Sequence, residues 1–417
     1  VKKRGWKIGR LEMDKTISFI QPSRNNLKYL KWSYESIRKN LGYRHEICMA
    51  DDFSDDGTWE WMEEIIKKDQ NVKIHRNIGP ERLGHTILYD TLVDMATNDI
   101  VMIYHADMYA LPGLDDEILK HIKPGVVVSG TRIEPPLHPD GPEKVIMDFG
   151  IEPEEFKEDE LLSWHGTFPE LTHSKLGKET TEGIFAPWAI YKEDFQKIGG
   201  HDDLFAPQSK EDSDIFNRFV LNGYKTIQTW RGFVYHMTCR GSRFAEGAKR
   251  NPEGEVSMIG RETDEWLTQN ERSTRNFARK WSSYCLHDDY LKPYIQPKYD
   301  IGYVVKNCNM SGLQGLEPWS DSMYIDDKEL VEQYIKEEQP QTKFDLKERL
   351  LKSEIDNDIV VEFDLQKLTQ NDYEILKMLP EIIKDSGKVG EFTLEIFDVT
   401  ITSLKTYEKE LIGCDSN

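Results

Sequence analysis

The chain has 417 residues, with 54 basic and 75 acidic side chains and a formal net charge of -21. That length supports about two or three domains, and 38% apolar with 11% aromatic residues excludes a disordered chain. The sequence shows none of the basic patches that mark a nucleic-acid binder, and no apolar run nears the ~18 residues of a membrane span.

The charge is uneven. From Ile301 to Asn417 there are 25 acidic against 13 basic residues. The five cysteines, Cys48, Cys239, Cys285, Cys308 and Cys414, are scattered. They form neither a CxxC pair nor a disulfide framework, which fits free thiols in a reducing cytoplasm.

In chain order, Thr16–Gln21 reads as a buried strand and Pro22–Asn25 as the turn after it. Leu27–Asn40 has helical spacing and stops at Gly42. His45–Ala50 is a strand, Thr58–Lys68 a helix, Val72–His75 a strand, Glu81–Ala96 a helix and Asp99–Tyr104 a further buried strand. Strands alternating with helices imply a mostly parallel sheet covered on both faces. After the strand Gly125–Thr131 the pattern degrades, and 132–182 reads as an insertion on the acceptor side of the sheet edge. Order returns at Ala186–Trp188, with a short helix from Lys192, a helix over Asp212–Leu221 and an extended run over Lys225–Tyr235. Residues 237–260 read as a mobile loop, and 261–285 as a long polar helix. A composition shift at Pro293–Pro297 divides a domain of 1–292 from a small acidic α/β domain of 293–417. In the latter, strands fall at Asp300–Lys306, Asp358–Phe363 and Glu391–Ile396, and helices at Lys328–Glu338 and Asn371–Asp385.

Four constellations carry chemistry. The first is Asp51-Asp52-Phe53-Ser54-Asp55-Asp56-Gly57-Thr58, four carboxylates where a strand ends. Acids favour a helix N-terminus, but one or two satisfy that role. In open α/β sheets, ligands bind at this edge. The second is His105-Ala106-Asp107 at the next strand end, where a lone Asp serves as a turn residue as readily as a cation ligand. The third is Gly199-Gly200-His201-Asp202-Asp203-Leu204-Phe205, then Glu211-Asp212-Ser213-Asp214. A helix cap explains one of those last acids. The fourth is His236, closing an extended segment.

Taken in order, these motifs resemble the family 2 glycosyltransferases of the GT-A fold, over roughly Thr16 to His236. The family's strand and Pro-containing turn match Ile20–Asn25, its Asp-Asp-x-Ser-x-Asp-Gly-Thr matches Asp51–Thr58, and its metal motif falls on His105–Asp107. The resemblance implies that Asp51 and Asp52 hold the base of a UDP-sugar, flanked by Pro22 and Arg24. Asp107 and His236 would bind Mn2+ or Mg2+. Asp212, beside Glu211, would be the general base of an inverting displacement. His105 stands where relatives carry a first Asp; a neutral imidazole there reaches the ribose but adds no negative charge. Arg82, Arg240 and Arg243 are candidates for the diphosphate or for solvated charge. Trp188 either stacks on an acceptor sugar or fills the core, and His201, Asp202 and Asp203 belong to the motif on the acceptor side. The expected activity is a non-processive transfer to a glycan, protein or modified-base hydroxyl. The alternatives are a nucleotidyltransferase on a similar sheet and a non-catalytic sugar-binding protein. The run from Asp358 to Phe397 resembles the tails of glycosyltransferases of marine bacteriophages, which would place the protein in a host cytoplasm.

Overall fold

Runs such as Ile17–Ile20 are buried on both faces of the strand, Ser18 included. The computed structural model describes residues 15–167, 177–240, 243, 247–258 and 262–413; Cys414 lies outside them. The chain divides into two units. One comprises Val1–His201, Gly223–Leu267 and His287–Lys292; the other comprises Asp202–Asn222, Thr268–Leu286 and Pro293–Asn417. The division therefore differs from a single cut after residue 292, since 202–222 and 268–286 group with the C-terminal residues.

In the first unit the strands are β1 Ile17–Ser23, β2 Glu46–Asp52, β3 Val72–Asn77, β4 Ile100–Ile103, β5 Met108–Ala110, β6 Val126–Glu134, β7 Val145–Ile146, β8 Thr180–Thr181, β9 Trp188–Tyr191 and β10 Lys225–His236. Among the described residues they form one sheet in the order β3-β2-β1-β4-β9-β6-β10-β5, with β7 beside β6 and β8 beside β10. β1 to β4 pair in parallel, as do β6 and β10. β9 and β5 run antiparallel to their neighbours. The helices are α1 Leu27–Asn40, α2 Thr58–Ile65, α3 Gly84–Met95, α4 Leu114–His121, α5 Glu158–Thr167 and α6 Lys192–Lys197. α3 packs on β1 and β2, and α4 on β6 and β10. The architecture is the expected α/β one, with a mostly parallel sheet flanked by helices.

Three expectations are corrected here. β1 runs on through Pro22 and Ser23 instead of turning at Pro22. β4 pairs with β1 only as far as Ile20, so the missing N–H of Pro22 falls where the sheet is no longer two-sided. Segment 132–182 is not simply laid over the sheet: β6 extends to Glu134, β7 and β8 join the sheet, and Ile133, Phe149 and Leu161 enter the core. Within 237–260, the described residues include a hairpin of β11 Ala248–Arg250 and β12 Val256–Met258. Arg250 ties it down, bonding both oxygens of Asp148 at 2.6 and 3.0 Å and Glu155 at 3.0 Å.

In the second unit, α7 Glu211–Leu221 and the end of α8 Asp264–Trp281 accompany a five-stranded sheet. Its strands are β13 Ile301–Lys306, β14 Ser322–Tyr324, β15 Ile359–Asp364, β16 Gly390–Leu394 and β17 Phe397–Ile401, ordered β14-β13-β15-β17-β16. The helices are α9 Met310–Leu316, α10 Lys328–Glu338, α11 Leu346–Leu350 and α12 Gln370–Ser386. α12 opens on a capping box of Thr369 and Asp372 and closes on Gly387 at φ 58°. The expected strand Glu391–Ile396 is in fact β16 and a tight turn into β17.

A buried ionic cluster knits this unit. The Glu317 carboxylate accepts from Arg279 (2.6 Å), Arg349 (2.7 Å) and the Tyr334 hydroxyl (2.9 Å), and Arg279 also reaches Glu338 at 2.8 Å. Burial pushes the Glu317 pKa up, but the two guanidiniums outweigh it and hold the value at about 2 against an ordinary 4.5. The folded-state value is depressed, so the carboxylate's contribution is full above pH 4.5 and is lost as pH falls toward 2. Glu317→Ala leaves two buried guanidiniums without their carboxylate and should cost about 3–5 kcal/mol. Urea unfolding at pH 7 measures this; a loss below about 1 kcal/mol, within the range of an exposed pair, would contradict it.

Candidate active site

The sheet topology assembles the site. β10 lies between β6 and β5, so its last residue, His236, has a neighbour on each side. Across β5, His236 is in register with Met108, and the Met237 N–H bonds the Asp107 carbonyl at 3.1 Å. Across β6, Tyr235 pairs with Ile133, which brings Glu134 level with His236. The imidazole is thus held from both ends: Nδ1 lies 2.9 Å from Glu134 Oε1, and Nε2 lies 3.4 Å from Asp107 Oδ1. The His105 ring stands 5.4 Å from that of His236.

One ligand atom from each of His105, Asp107 and His236 can be chosen so that all lie within 4.8 Å of one another. Two imidazoles and a carboxylate form a donor set suited to a divalent cation, so these residues fit a metal. Their electrostatics agree. Burial and the neighbouring His236 push the His105 pKa down to about 3, leaving a neutral imidazole with a lone pair to offer. Burial would also lower His236, but Asp107 and Glu134 more than reverse this and raise it to about 9. Burial acts to raise Asp107; His236 overrides it and keeps the carboxylate ionised.

At the ends of β1 and β2 the acidic turn divides its labour. Asp52 is used internally: Oδ1 accepts from Asn77 Nδ2 (2.8 Å) and Leu83 N (3.0 Å), and Oδ2 from Gly84 N (2.9 Å), at the start of α3. Asp56 does the same for α1 and α2, through Leu27 N at 2.9 Å and Thr58 N at 3.1 Å. Asp55 is exposed. Asp51 is fully buried, and its Oδ1 accepts from Ser54 N at 3.1 Å. Its Oδ2 has no hydrogen-bond partner among the described residues, the nearest cation being Arg76 Nε at 3.6 Å. Ser23, the register partner of Asp51, also has a buried hydroxyl without a partner. Of the two acids expected to meet a base, Asp51 is open for it and Asp52 is committed to the fold.

The arginines differ as well. Arg240 is nearly buried. Its guanidinium lies 5.3 Å from the Tyr29 ring centroid and 3.4 Å from Glu152, and Nε has no hydrogen-bond partner among the described residues. Arg243 pairs with Glu262 at 2.6 Å and covers the Trp266 ring at 4.4 Å. Arg24 and Arg82 approach the same Glu265 carboxylate, at 3.8 and 3.4 Å, and Arg82 also lies 3.6 Å from Asp52.

Of the acceptor-side candidates, Trp188 takes the core alternative, and His201 serves packing. Trp188 is fully buried in β9 and offers no face to a sugar. The His201 side chain is buried, with Nδ1 2.7 Å from Asp90 Oδ1 and the ring stacked on Tyr89 at 5.4 Å. Gly200 permits this, because a Cβ there would sit 2.2 Å from Asp90 Oδ2. In the second unit, Asp202 caps a short turn through Leu204 N (2.9 Å) and meets Lys280 at 2.7 Å. Asp203 pairs with Lys343. Glu211 and Asp212 open α7, directly after Ser209 and Lys210, two non-glycines at φ 80° and 73°. Asp214 has a structural reason that the sequence hides, a fully buried ion pair with Lys280 at 2.7 Å and Arg218 at 2.8 Å.

Sequence reasoning missed Glu134. It is 1% exposed and paired with Arg132 at 3.0 Å and Lys144 at 3.3 Å, and both cations also approach Glu143. The one available signal was Arg132-Ile133-Glu134, two charges on one side of a strand.

Residues 18–199 match the model of glycosyl transferase family 2. Among solved structures, the chain is similar to GalNAc-T7 with UDP, GalNAc and Mn2+, at 17% identity over 53% of this chain and 44% of that one, with a TM-score of 0.41. It is also similar to S. aureus TarS 1-349, at 14% identity over 53% and 60% of the two chains with a TM-score of 0.39, and to the same protein in complex with UDP, with a TM-score of 0.38. The match thus spans less than two thirds of each of those chains. No helix among the described residues is long and apolar enough to cross a membrane. Residues 18–199, which lie in the first unit and supply most of its mixed α/β sheet, are thus similar to glycosyl transferase family 2.

Proposed function

We propose that the protein transfers a sugar from a UDP-sugar to an acceptor hydroxyl, one residue at a time and with inversion at the anomeric carbon. The observation that carries this reading is the cluster of His105, Asp107 and His236 at the carboxyl edge of the first unit's sheet. Those three residues would hold a divalent cation, which supplies Lewis acidity toward the diphosphate. Asp51 Oδ2, buried and open, accepts the ring N–H of the base, and the end of β1 at Pro22, with Arg24 just beyond it, flanks it. The buried Arg240 directs its unused Nε–H at the diphosphate. Asp212 takes the proton of the acceptor hydroxyl as that oxygen attacks. The left-handed pair Ser209 and Lys210 fixes the entry of α7, and strain of this kind, roughly 1–3 kcal/mol per residue, gathers at functional sites. The four described cysteines are free thiols, which fits a reducing cytoplasm.

The donor set also points to the ion. Two imidazoles disfavour Mg2+, which prefers oxygen and gives up its water reluctantly, more than they disfavour Mn2+. In a thermal-shift panel, UDP with Mn2+ should raise Tm by several degrees, UDP with Mg2+ by clearly less, and ATP or NAD not at all. Stabilisation led by ATP would favour a nucleotidyltransferase instead.

Asp212→Asn separates chemistry from binding. General-base assistance contributes about 10²–10⁴-fold, so transfer should fall by that factor while UDP affinity stays within about twofold. Equal survival of both, or equal loss of both, would remove Asp212 from the role of base.

A further inference from the structure

A metal-binding imidazole must present a lone pair on one nitrogen, and the partner of its other nitrogen decides which one. His236 has such a partner in Glu134, which lies outside the four constellations read from the sequence and beyond the metal cluster itself. We infer that Glu134 is the positioning residue of the metal centre, accepting the Nδ1–H of His236 so that Nε2 faces the cation beside Asp107. This inference rests on the cation-assisted reading given above.

Three observations carry it. The geometry is directional: Nδ1 is 2.9 Å from Glu134 Oε1, while Nε2 turns to Asp107 Oδ1 at 3.4 Å. The carboxylate is 1% exposed, and its charge is already balanced by Arg132 at 3.0 Å and Lys144 at 3.3 Å. Its charge is therefore met by groups other than His236. Finally, its supports come from the sheet. Arg132 and Glu134 share a side of β6, and Lys144 directly precedes β7, whose Val145 is in register with Ile133. A buried charge cluster is a poor means of gaining stability, because apolar side chains of equal volume do as well. Its use here is orientation.

The alternative is a purely structural ion cluster, and metal binding distinguishes the two. Mn2+ alone is titrated calorimetrically into the full chain, into Glu134→Gln and into Glu134→Leu, each normalised to the folded fraction measured by circular dichroism. Co2+ is used in parallel for its visible absorption, which reports ligand geometry. Gln keeps an acceptor for Nδ1–H, and Leu removes it. Mn2+ affinity should fall about 10-fold in the Gln variant and up to about 100-fold in the Leu variant, with an altered Co2+ spectrum in the latter. Wild-type affinity and spectrum in both folded variants would overturn the role of Glu134 while leaving the metal reading intact. Failure of the unmodified chain to bind either ion would overturn the metal reading itself, and Glu134 with it. Should the Leu variant not fold, the Gln variant alone decides, since unchanged Mn2+ affinity there contradicts the assignment.

Discussion

The site depends on one imidazole held between two carboxylates. His236 ends the strand that lies between β5 and β6, and those neighbours supply Asp107 and Glu134. The two contacts could not both form if β10 lay at the edge of the sheet. The order of three strands thus turns residues more than a hundred positions apart into adjacent groups. It also sets their charges, since the two acids keep His236 basic while His105, facing a second imidazole in a buried site, stays neutral. On the proposed reading, a cation would compete with a proton at His236, which links metal binding to pH.

The same economy governs the acidic turn after β2. Four carboxylates repel one another there, and three have duties that relieve the crowding. Asp52 and Asp56 satisfy the exposed N–H groups where α3, α1 and α2 begin, and Asp55 faces solvent. Only Asp51 is buried with an oxygen to spare. Left-handed non-glycine residues punctuate the same region, with Asn25 and Phe53 at the ends of β1 and β2, and Thr238 and Cys239 just past His236. Backbone strain recurs in the turns that carry the candidate residues.

Much of this was legible in the sequence, for local reasons. The alternation of strands and helices as far as Ile103 follows from short-range patterning, and the turn Asp51–Thr58 and the triplet His105–Asp107 are contiguous. Glu134 was not legible. Between Gln228 and Phe233 the pairing of β10 with β6 shifts, with five positions on one strand set against two on the other. That irregularity decides which β6 residue meets His236, and no periodicity announces it. The structural roles of Asp52 and Asp214 were hidden for a similar reason, since their partners, Arg218 apart, lie some 25 to 67 positions away. His201 was placed on the acceptor side because a motif is read as a string, and the fold buries it; for Trp188 the core alternative holds. In the second unit, β14 is three residues long and β17 is one arm of a tight hairpin, too short for a pattern to separate.

The central claim is that His105, Asp107 and His236 together hold one divalent cation at the edge of the first unit's sheet. Crystals grown with Mn2+ and UDP, measured at the manganese absorption edge, test it directly. The account predicts an anomalous peak bounded by the two imidazoles and the Asp107 carboxylate, with the diphosphate on its open side. A nucleotide bound at Asp51 with no manganese peak beside these three residues would contradict it.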